Sequence, residues 1–257
     1  MDIPIASHSG QSAIFEIVFA HNDEPIPTEF LQFFPPISPL ALRSERLIRK
    51  QKSRKMAYFL LHQLAQKYGL DPHLFTQIQR TESGRPYISD QRVDFNISHS
   101  GDWVAVIFSF SEKGQKRVGI DIEHPQKTRQ YTNLLRYYAT AQEISEIEDF
   151  SVLPQLATLP DRFYLSWCLR EAILKSQGIG IIKLSEVYHQ LEKQHITSIH
   201  APKGQLCFHF QLPFYLAYFF EQPLSMLSLP SLFQWKKGKF NPIISSPFIH
   251  YQVNQYA

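Results

Sequence analysis

The chain has 257 residues, of which 44% are hydrophobic and 19% are charged, so it can bury a substantial core as one large domain or two small ones. A formal net charge of only +3 gives no global argument for nucleic-acid binding. The N-terminus lacks a secretory signal pattern, no apolar run is long enough to span a bilayer, and Cys168 and Cys207 show no disulfide or metal-ligand spacing. These features favour a cytoplasmic protein in which both cysteines pack as small apolar side chains.

The first half of the chain predicts strands around one long helix. An apolar stretch at 13–20 is typical of a strand, and the rest of 1–42 is Pro-rich and irregular. Apolar residues recur at helical spacing over 45–68, and Gly69 is a natural stop for that helix. A turn at 81–87 contains Gly84 and Pro86. Three short strands are then predicted at 93–98, 103–110 and 117–123, and the short loop between the last two predicts that they form an antiparallel pair.

The second half predicts helices followed by strands. An acidic segment at 140–149 is predicted to be helical, and Asp161 is predicted to cap a helix that runs to Gln177 and ends at Gly178. The pattern then turns to strands at 186–191, 205–211, 216–220 and 226–229. This order of elements indicates an α+β fold. The segment 232–257 has no clear periodicity, which leaves open whether it is an extension packed on the core.

The predicted helix at 45–68 begins in a strongly basic segment in which only Glu45 opposes the positive charge. Its basic residues are Arg43, Arg46, Arg49, Lys50, Lys52, Arg54 and Lys55. The pattern fits a local anion site or a solvated helix face, and a basic helix also suits RNA or a membrane surface.

Asp121 and Glu123 stand two apart in an apolar strand, so both carboxylates lie on one face while Ile120 and Ile122 point to a core. Two adjacent carboxylates repel each other and need a compensating cation. Oxygen ligands of this kind suit Mg²⁺, whose coordination is completed by water and substrate phosphates. The alternative is an amphipathic strand with a solvated acidic face.

Glu171 and Lys175 are spaced four apart on the predicted helix and therefore share a face, either as part of a site or as an ordinary surface ion pair. His99 lies in a turn with Ser98 and Ser100, close to a glycine that lets a ligand approach the backbone. The alternative is a surface turn with an exposed histidine. Arg85 lies in a Gly-Arg-Pro turn that could aim its guanidinium at a phosphate, or it is a simple loop arginine.

In this order, three segments resemble the signature motifs of 4′-phosphopantetheinyl transferases of the surfactin-synthetase-activating, long single-chain type. They are Phe95-Asn-Ile-Ser-His-Ser-Gly101, Gly119-Ile-Asp-Ile-Glu123 and Trp167-Cys-Leu-Arg-Glu-Ala-Ile-Leu-Lys175. Gly84-Arg-Pro86 resembles the family's Gly-Lys-Pro turn, and the resemblance covers about residues 43–180. Arg85 and Arg170 stand where the family commonly has lysine, and arginine binds oxyanions differently.

The resemblance implies two similar α/β halves related by a pseudo-twofold, with the active site between them. We expect an N-terminal half at 1–120, a C-terminal half at 121–230 and an extension of unknown role at 231–257. It also implies that the phosphopantetheine arm of coenzyme A is moved to a serine of an apo acyl or peptidyl carrier protein, releasing adenosine 3′,5′-bisphosphate.

By the same resemblance, Asp121, Glu123 and Glu171 hold Mg²⁺, and Glu171, Lys175 and His99 are the catalytic residues. Glu171 takes the serine proton directly or through water, and Lys175 neutralises the departing phosphate. The residues that would hold the nucleotide end of coenzyme A are Arg85, Ser98, His99, Lys52, Arg54 and Lys175. A monomer that binds neither nucleic acid nor membrane is expected.

Two other functions remain open from the sequence. A non-catalytic relative that binds coenzyme A or a nucleotide would keep the basic residues without turnover. A nucleic-acid-binding module built on 43–55 would leave Asp121, Glu123 and Glu171 unexplained, since those carboxylates repel a phosphate backbone.

Overall fold

The computed structural model describes residues 13–34, 44–126, 128–223, 228–244 and 246–255. The elements of the first half are β1 (Ile14–His21), α1 (Thr28–Leu31), α2 (Glu45–Lys67), β2 (Gln79–Arg80), β3 (Pro86–Tyr87), β4 (Val93–Ser100) and β5 (Trp103–Phe110). The elements that follow are β6 (Val118–Glu123), α3 (Tyr131–Leu135), α4 (Ala141–Glu148), α5 (Leu159–Gln177), β7 (Val187–Gln190), β8 (His195–Ser198), β9 (Gly204–His209), β10 (Tyr215–Phe220), β11 (Ser231–Lys236), β12 (Lys239–Pro242) and β13 (Phe248–Val253).

These strands form two main sheets, each covered by one long helix. The first sheet has the order β12-β11-β1-β5-β4 and shares a core with α2. The second has the order β6-β10-β9-β13-β8-β7 and shares a core with α5. A third apolar cluster lies between the two, where Ile17 and Ile107 pack with Ile120, Leu216 and their neighbours.

The central strands of both sheets are connected in the same way. In the first half β1 leads through α2 to β4 and β5, and β5 pairs antiparallel with both β1 and β4. In the second half β6 leads through α5 to β9 and β10, and β10 pairs antiparallel with both β6 and β9. The predicted α+β fold of two similar halves is therefore confirmed, although no repeat is visible in the sequence.

Both long helices begin and end at capping residues. Ser44 caps α2, and Gly69 follows its end in a left-handed conformation, as predicted. The predicted cap of α5 is wrong by three residues, because Thr158 caps the helix and Asp161 supplies the reciprocal bond of a capping box. Gly178 ends α5 as predicted, and α4 confirms the acidic helix.

The predicted pairing of the strands at 103–110 and 117–123 is wrong. Both edges of β5 are already bonded, one to β1 and the other to β4. The next strand, β6, therefore crosses to the second sheet and pairs with β10 at the edge of that sheet. The boundary that we predicted between residues 120 and 121 falls inside β6.

Residues after 230 differ from the extension that the sequence suggested. β11 lies parallel to β1 in the first sheet, and β13 lies between β9 and β8 in the second. Of the strand predicted at 226–229, positions 226–227 lie outside the described residues and 228–229 are not in a strand. Arg43 and the first twelve residues also lie outside them. No helix in the described ranges is both long and apolar enough to cross a membrane.

Candidate active site

The two halves meet where the open edge of β4 faces the open edge of β6. Side chains of alternate β4 residues take the place of a backbone ladder there. The N–H groups of Val118, Ile120, Ile122 and His124 donate to Asp94 Oδ2, Asn96 Oδ1, Ser98 Oγ and Ser100 Oγ at 2.9, 3.1, 3.2 and 3.0 Å. We call these four contacts the polar ladder. They hold the carboxylates of β6 at a fixed position beside the motif residues of β4.

Gly119 brings α5 onto the same place. A Cβ atom at this position would lie 2.0 Å from the Ala172 carbonyl oxygen and 2.8 Å from Ser176, so only glycine permits this contact. The close approach places Glu171 and Lys175, one turn apart on α5, against Asp121 of β6. The structure therefore unites Asp121 with two predicted site residues, Glu171 and Lys175, that lie about fifty residues later in the sequence.

Lys175 contacts three other polar residues of this centre. Its Nζ lies 2.5 Å from Asp121 Oδ1, 3.2 Å from Ser98 Oγ and 3.7 Å from Glu171 Oε2. Ser98 Oγ also donates to Asp121 Oδ1 at 3.1 Å, while Ser100 Oγ donates to Glu123 Oε2 at 3.2 Å. Glu171 and Lys175 are therefore part of a buried polar cluster. The alternative interpretation, an ordinary surface ion pair, does not fit this environment.

The electrostatics of the cluster favour proton exchange. Burial, with the negative charges of Asp121 and Glu123, raises the pKa of Glu171 to about 7 despite the opposing effect of Lys175. Burial and then Asp121 raise the pKa of Glu123. Burial alone would lower the pKa of Lys175, but the Asp121 and Glu171 carboxylates outweigh it and the pKa is raised.

The donor set also fits a hard divalent cation. Asp121 Oδ2 and Glu171 Oε1 are buried and have no hydrogen-bond partner among the described residues, which is costly for carboxylate oxygens. In those ranges no group of three or more His, Cys, Asp or Glu side chains is arranged so that it could hold a metal ion, so the predicted set of Asp121, Glu123 and Glu171 is not assembled as a three-carboxylate site. Mg²⁺ suits such an incomplete set, because it is bound by one or two carboxylates together with water and substrate oxygens.

A cleft of about 500 Å³ opens beside the centre, between α2, the β2–β3 turn and β4. Its polar wall contains Lys50, Arg54, Arg80 and His99, and its apolar wall contains Ala57, Tyr58, Pro86 and Ile97. His99 lies in β4, not in a turn as predicted, and its side chain is exposed at the cleft. Partial desolvation lowers its pKa first, and the positive charges of Lys175 and Lys50 lower it further. The neutral imidazole is therefore favoured, and it lies between the cleft and the carboxylate centre.

Of the six residues predicted to hold the nucleotide end of coenzyme A, Arg54 and His99 line the cleft, and Ser98 and Lys175 lie in the carboxylate centre. The other two, Lys52 and Arg85, lie elsewhere. Lys52 Nζ pairs with Asp23 Oδ1 at 2.5 Å and does not line the cleft. The Arg85 side chain is only 4% exposed, pairs with Asp94 Oδ2 at 2.7 Å and donates to the Lys175 carbonyl at 3.3 Å. Its guanidinium therefore ties the turn to the polar ladder, and the phosphate contact that we predicted for it is not supported.

Lys50 and Arg80 line the cleft instead of Lys52 and Arg85, and neither was among the predicted site residues. Lys50 lies in the same basic segment as Lys52 and Arg54. Helical spacing alone could have indicated that Lys50 faces the cleft, because Lys50, Arg54 and Ala57 follow one another at intervals of four and three residues and share one helix face. Arg80 is fixed by a 2.7 Å bond from Nη1 to the Gly84 carbonyl across the turn. No local signal distinguishes Arg80 from Arg85, because the difference lies in which side of the β2–β3 pair faces the cleft.

Arg170, which stands where the family commonly has lysine, points away from the centre. It is 1% exposed and forms a two-pronged pair with Glu143, which also accepts from Ser166 and contacts His189. Burial works against this charge on Glu143, but Arg170 and His189 lower its pKa to about 2. Arg170 therefore joins α5 to α4 and β7.

Ionisable groups that are buried at the cost of stability are typical of enzyme active sites, and a cationic cleft beside them suits a phosphorylated substrate. The fold and site together define an enzyme with its active centre between two α/β halves. Comparison with known proteins identifies the family to which it belongs.

A family model of the 4′-phosphopantetheinyl transferase superfamily matches residues 117–221, and a model of the N-terminal part of 4′-phosphopantetheinyl transferases matches residues 29–111. A Haemophilus influenzae protein assigned as a 4′-phosphopantetheinyl transferase is 42% identical over 232 residues, which cover 90% of this chain and 92% of the relative. A Bacillus subtilis 4′-phosphopantetheinyl transferase is 32% identical over 56% of this chain and 60% of its own length. The mouse L-aminoadipate-semialdehyde dehydrogenase-phosphopantetheinyl transferase is 27% identical over 41% of this chain and 35% of its own length.

The chain belongs to the 4′-phosphopantetheinyl transferase superfamily. Enzymes of this family take the 4′-phosphopantetheine group from coenzyme A and transfer it to carrier proteins.

Proposed function

We propose that this enzyme is of the surfactin-synthetase-activating type. In a Mg²⁺-dependent reaction it moves the 4′-phosphopantetheine arm of coenzyme A to a serine of an apo acyl or peptidyl carrier protein and releases adenosine 3′,5′-bisphosphate. The observation that carries the proposal is the buried cluster of Asp121, Glu171 and Lys175, which lies at the junction of the halves beside a cationic cleft.

The cleft suits the nucleotide end of coenzyme A. Lys50, Arg54 and Arg80 supply positive charge for phosphate groups, and the ring of Tyr58 lies beneath the Arg54 guanidinium at 5.4 Å. His99 lies at the inner end, where a neutral imidazole can donate one hydrogen bond to a phosphate oxygen. With the nucleotide held there, the pyrophosphate of coenzyme A would extend toward Lys175.

Asp121, Glu123 and Glu171 are the residues that would hold Mg²⁺. When bound, the ion would neutralise charge on the phosphoryl group under attack. The two carboxylate oxygens without partners, one on Asp121 and one on Glu171, support this assignment.

The remaining chemistry falls to Glu171 and Lys175. A serine hydroxyl must lose its proton as it attacks phosphorus, and a carboxylate whose pKa is raised to about 7 is well matched to accept that proton near neutral pH. The Lys175 ammonium keeps its charge and would neutralise the departing 3′,5′-bisphosphate. As in other phosphoryl transfers, the rate would arise mainly from positioning and charge neutralisation.

We further infer that the enzyme acts as a monomer in the cytoplasm and needs neither nucleic acid nor a membrane. Two similar halves in one chain already provide both sides of the active site. The carboxylates at the centre would repel a nucleic-acid backbone.

The proposal is tested by incubating an apo carrier protein with the enzyme, coenzyme A and Mg²⁺ and following two products. We expect the carrier to gain the mass of one phosphopantetheine arm while an equal amount of adenosine 3′,5′-bisphosphate appears in chromatography. EDTA should abolish both signals, and excess Mg²⁺ should restore them. Tight coenzyme A binding without transfer to any carrier would instead identify a non-catalytic relative, and transfer in EDTA would refute the metal dependence.

A further inference from the structure

The last two contacts of the polar ladder differ from the first two. Ser98 Oγ accepts the N–H of Ile122 and donates to the carboxylate of Asp121, the residue just before it. Ser100 repeats the arrangement two residues later, since it accepts the N–H of His124 and donates to Glu123. Each hydroxyl thus binds a β6 backbone amide and the neighbouring β6 carboxylate at once.

A serine hydroxyl has one hydrogen to donate and two lone pairs with which to accept. When an amide N–H of β6 donates to a lone pair of the hydroxyl, the hydroxyl can still donate its own hydrogen to the carboxylate. The hydroxyl therefore fixes the orientation of the carboxylate relative to the backbone of β6. Ser98 also contacts Lys175 and would disturb several groups if it were replaced. Ser100 makes only these two contacts among the described side-chain bonds, which makes it the cleaner residue to study.

The turn after Ser100 is built to hold this contact. Gly101 has a φ of +59°, and a Cβ atom there would lie 2.6 Å from His124 Nδ1. Glycine therefore allows the β4–β5 turn to lie directly against His124. That approach sets the 3.0 Å bond between His124 N and Ser100 Oγ, and through it the position of Ser100 opposite Glu123.

We propose that Ser100 is a positioning residue that presets the Glu123 carboxylate to bind a divalent cation. The inference rests on the proposed function, in which Glu123 is one of the residues that hold the metal. Ser100 fixes Glu123 Oε2 relative to the β6 backbone, so the carboxylate need not be ordered when the ion binds. Partners that orient metal-binding carboxylates typically change affinity by 10–100-fold when they are removed.

The experiment measures Mn²⁺ binding to the enzyme without coenzyme A, by electron paramagnetic resonance of the free ion. Ser100→Ala should raise the Mn²⁺ dissociation constant roughly tenfold, and Ser100→Thr, which keeps an Oγ, should restore most of the affinity. Ser109→Ala is the matched control, because Ser109 is a buried serine on the neighbouring strand whose hydroxyl donates to the Lys116 carbonyl at 2.7 Å. Should Ser100→Ala fail to fold, Ser100→Cys keeps the side-chain shape with a weaker donor and should weaken binding in the same direction.

The possible results distinguish the role of Ser100 from the proposed transferase activity. Unchanged Mn²⁺ affinity in folded Ser100→Ala, or an equal loss in Ser109→Ala, would overturn the role of Ser100 while leaving the transferase proposal intact. If the unaltered enzyme bound no Mn²⁺ and transferred phosphopantetheine without any metal, the assignment of Asp121, Glu123 and Glu171 as metal ligands would be refuted, and the role of Ser100 with it.

Discussion

Glu171 occupies a position that costs the folded protein stability. The residue is 7% exposed, one carboxylate oxygen has no hydrogen-bond partner among the described residues, and burial raises the pKa to about 7. Because the folded state holds a proton on Glu171 more tightly than the unfolded state does, this group makes stability fall as the pH rises from about 4.5 to about 7, and its contribution is constant above that range. Such a group is retained for chemistry rather than for folding.

Glu171→Gln should therefore stabilise the metal-free protein while abolishing transfer. In EDTA at pH 8 we expect a gain on the order of 2 kcal/mol, because the amide removes the need to ionise a buried carboxyl. The gain should shrink as the pH falls toward 5, where the folded wild-type protein already carries the proton. Thermal denaturation at several pH values measures this, and a destabilised Glu171→Gln at pH 8 would contradict the pKa assignment.

Arg80 and Arg85 should separate binding from stability. Arg80→Ala should weaken coenzyme A binding roughly tenfold or more, because it removes an exposed charge from the cleft, and should leave the melting temperature nearly unchanged. Arg85→Met should instead lower stability by roughly 3–5 kcal/mol, because it removes the guanidinium that pairs with Oδ2 of the buried Asp94 carboxylate and leaves only the Val118 N–H on that oxygen. Calorimetric titration and thermal melts check both variants, with Lys52→Ala as the control for a basic residue outside the cleft.

The opposite pattern, with intact stability and lost affinity in Arg85→Met, would restore the phosphate contact that the sequence suggested for Arg85. Strand and helix periods could predict two separate pairs, Asp121 with Glu123 and Glu171 with Lys175, because each pair shares one face. That the two pairs form one site was implied only by the family resemblance. The sequence could not predict which basic residue faces the cleft, because that depends on how α2 and the β2–β3 turn pack in three dimensions.

At the scale of elements, the site depends on how closely α5 lies against β6. Gly119 alone permits the contact, since any side chain there would collide with the backbone carbonyl of Ala172. The helix carries Glu171 and Lys175, and the strand carries Asp121 and Glu123. A small outward shift of α5 would thus separate the catalytic residues without altering any of them.

Gly119→Ala tests this dependence. We expect a loss of roughly 1–3 kcal/mol or more, because the backbone must move to relieve overpacking, together with a large fall in kcat. Gly180→Ala, just after α5, is a suitable comparison, since a Cβ there would meet no atom within 4 Å and the φ of −78° suits any residue. Normal transfer by Gly119→Ala would show that α5 does not need this close approach.

Arg170 holds α5 from its other side through Glu143. Replacing it with the family's usual residue, Arg170→Lys, should lower stability by roughly 1–3 kcal/mol, because one ammonium cannot reproduce the two-pronged bond to Glu143 and the bond to the Leu184 carbonyl. Transfer per folded molecule should change little, since Arg170 does not reach the centre. Chemical denaturation measures the first effect, and an unchanged midpoint would contradict it.

The pairing of the strands was harder to predict than their existence. β4, β5 and β6 were all indicated by their apolar patterns, yet β6 belongs to a different sheet from β5. A short connection favours a hairpin, but the earlier strand β1 already occupies the free edge of β5. β13 does alternate, since Ile249, Tyr251 and Val253 are buried and the polar residues between them are less so, and this strand signal was missed. β11 shows no such strict alternation.

At the scale of the whole molecule, the polar ladder joins two similar halves in place of backbone pairing. Asp94, Asn96, Ser98 and Ser100 bind the edge of β6 with side chains, so the junction itself carries polar groups that can face a substrate. The carboxylates come from the second half, and the cleft comes from the first. Neither half alone would hold both the phosphate groups and the proton acceptor.

The central claim is that the enzyme transfers phosphopantetheine at the junction of its two halves and uses the carboxylates of Asp121, Glu123 and Glu171 to do so. The most direct test is intact-protein mass spectrometry of an apo acyl carrier protein incubated with coenzyme A and Mg²⁺ and one of four enzymes: wild type, Asp121→Ala, Glu171→Gln or the exposed control Glu192→Gln. We predict that the carrier gains one phosphopantetheine arm with wild type and Glu192→Gln, while folded Asp121→Ala and Glu171→Gln produce no gain. Full modification of the carrier by both site variants would contradict the account.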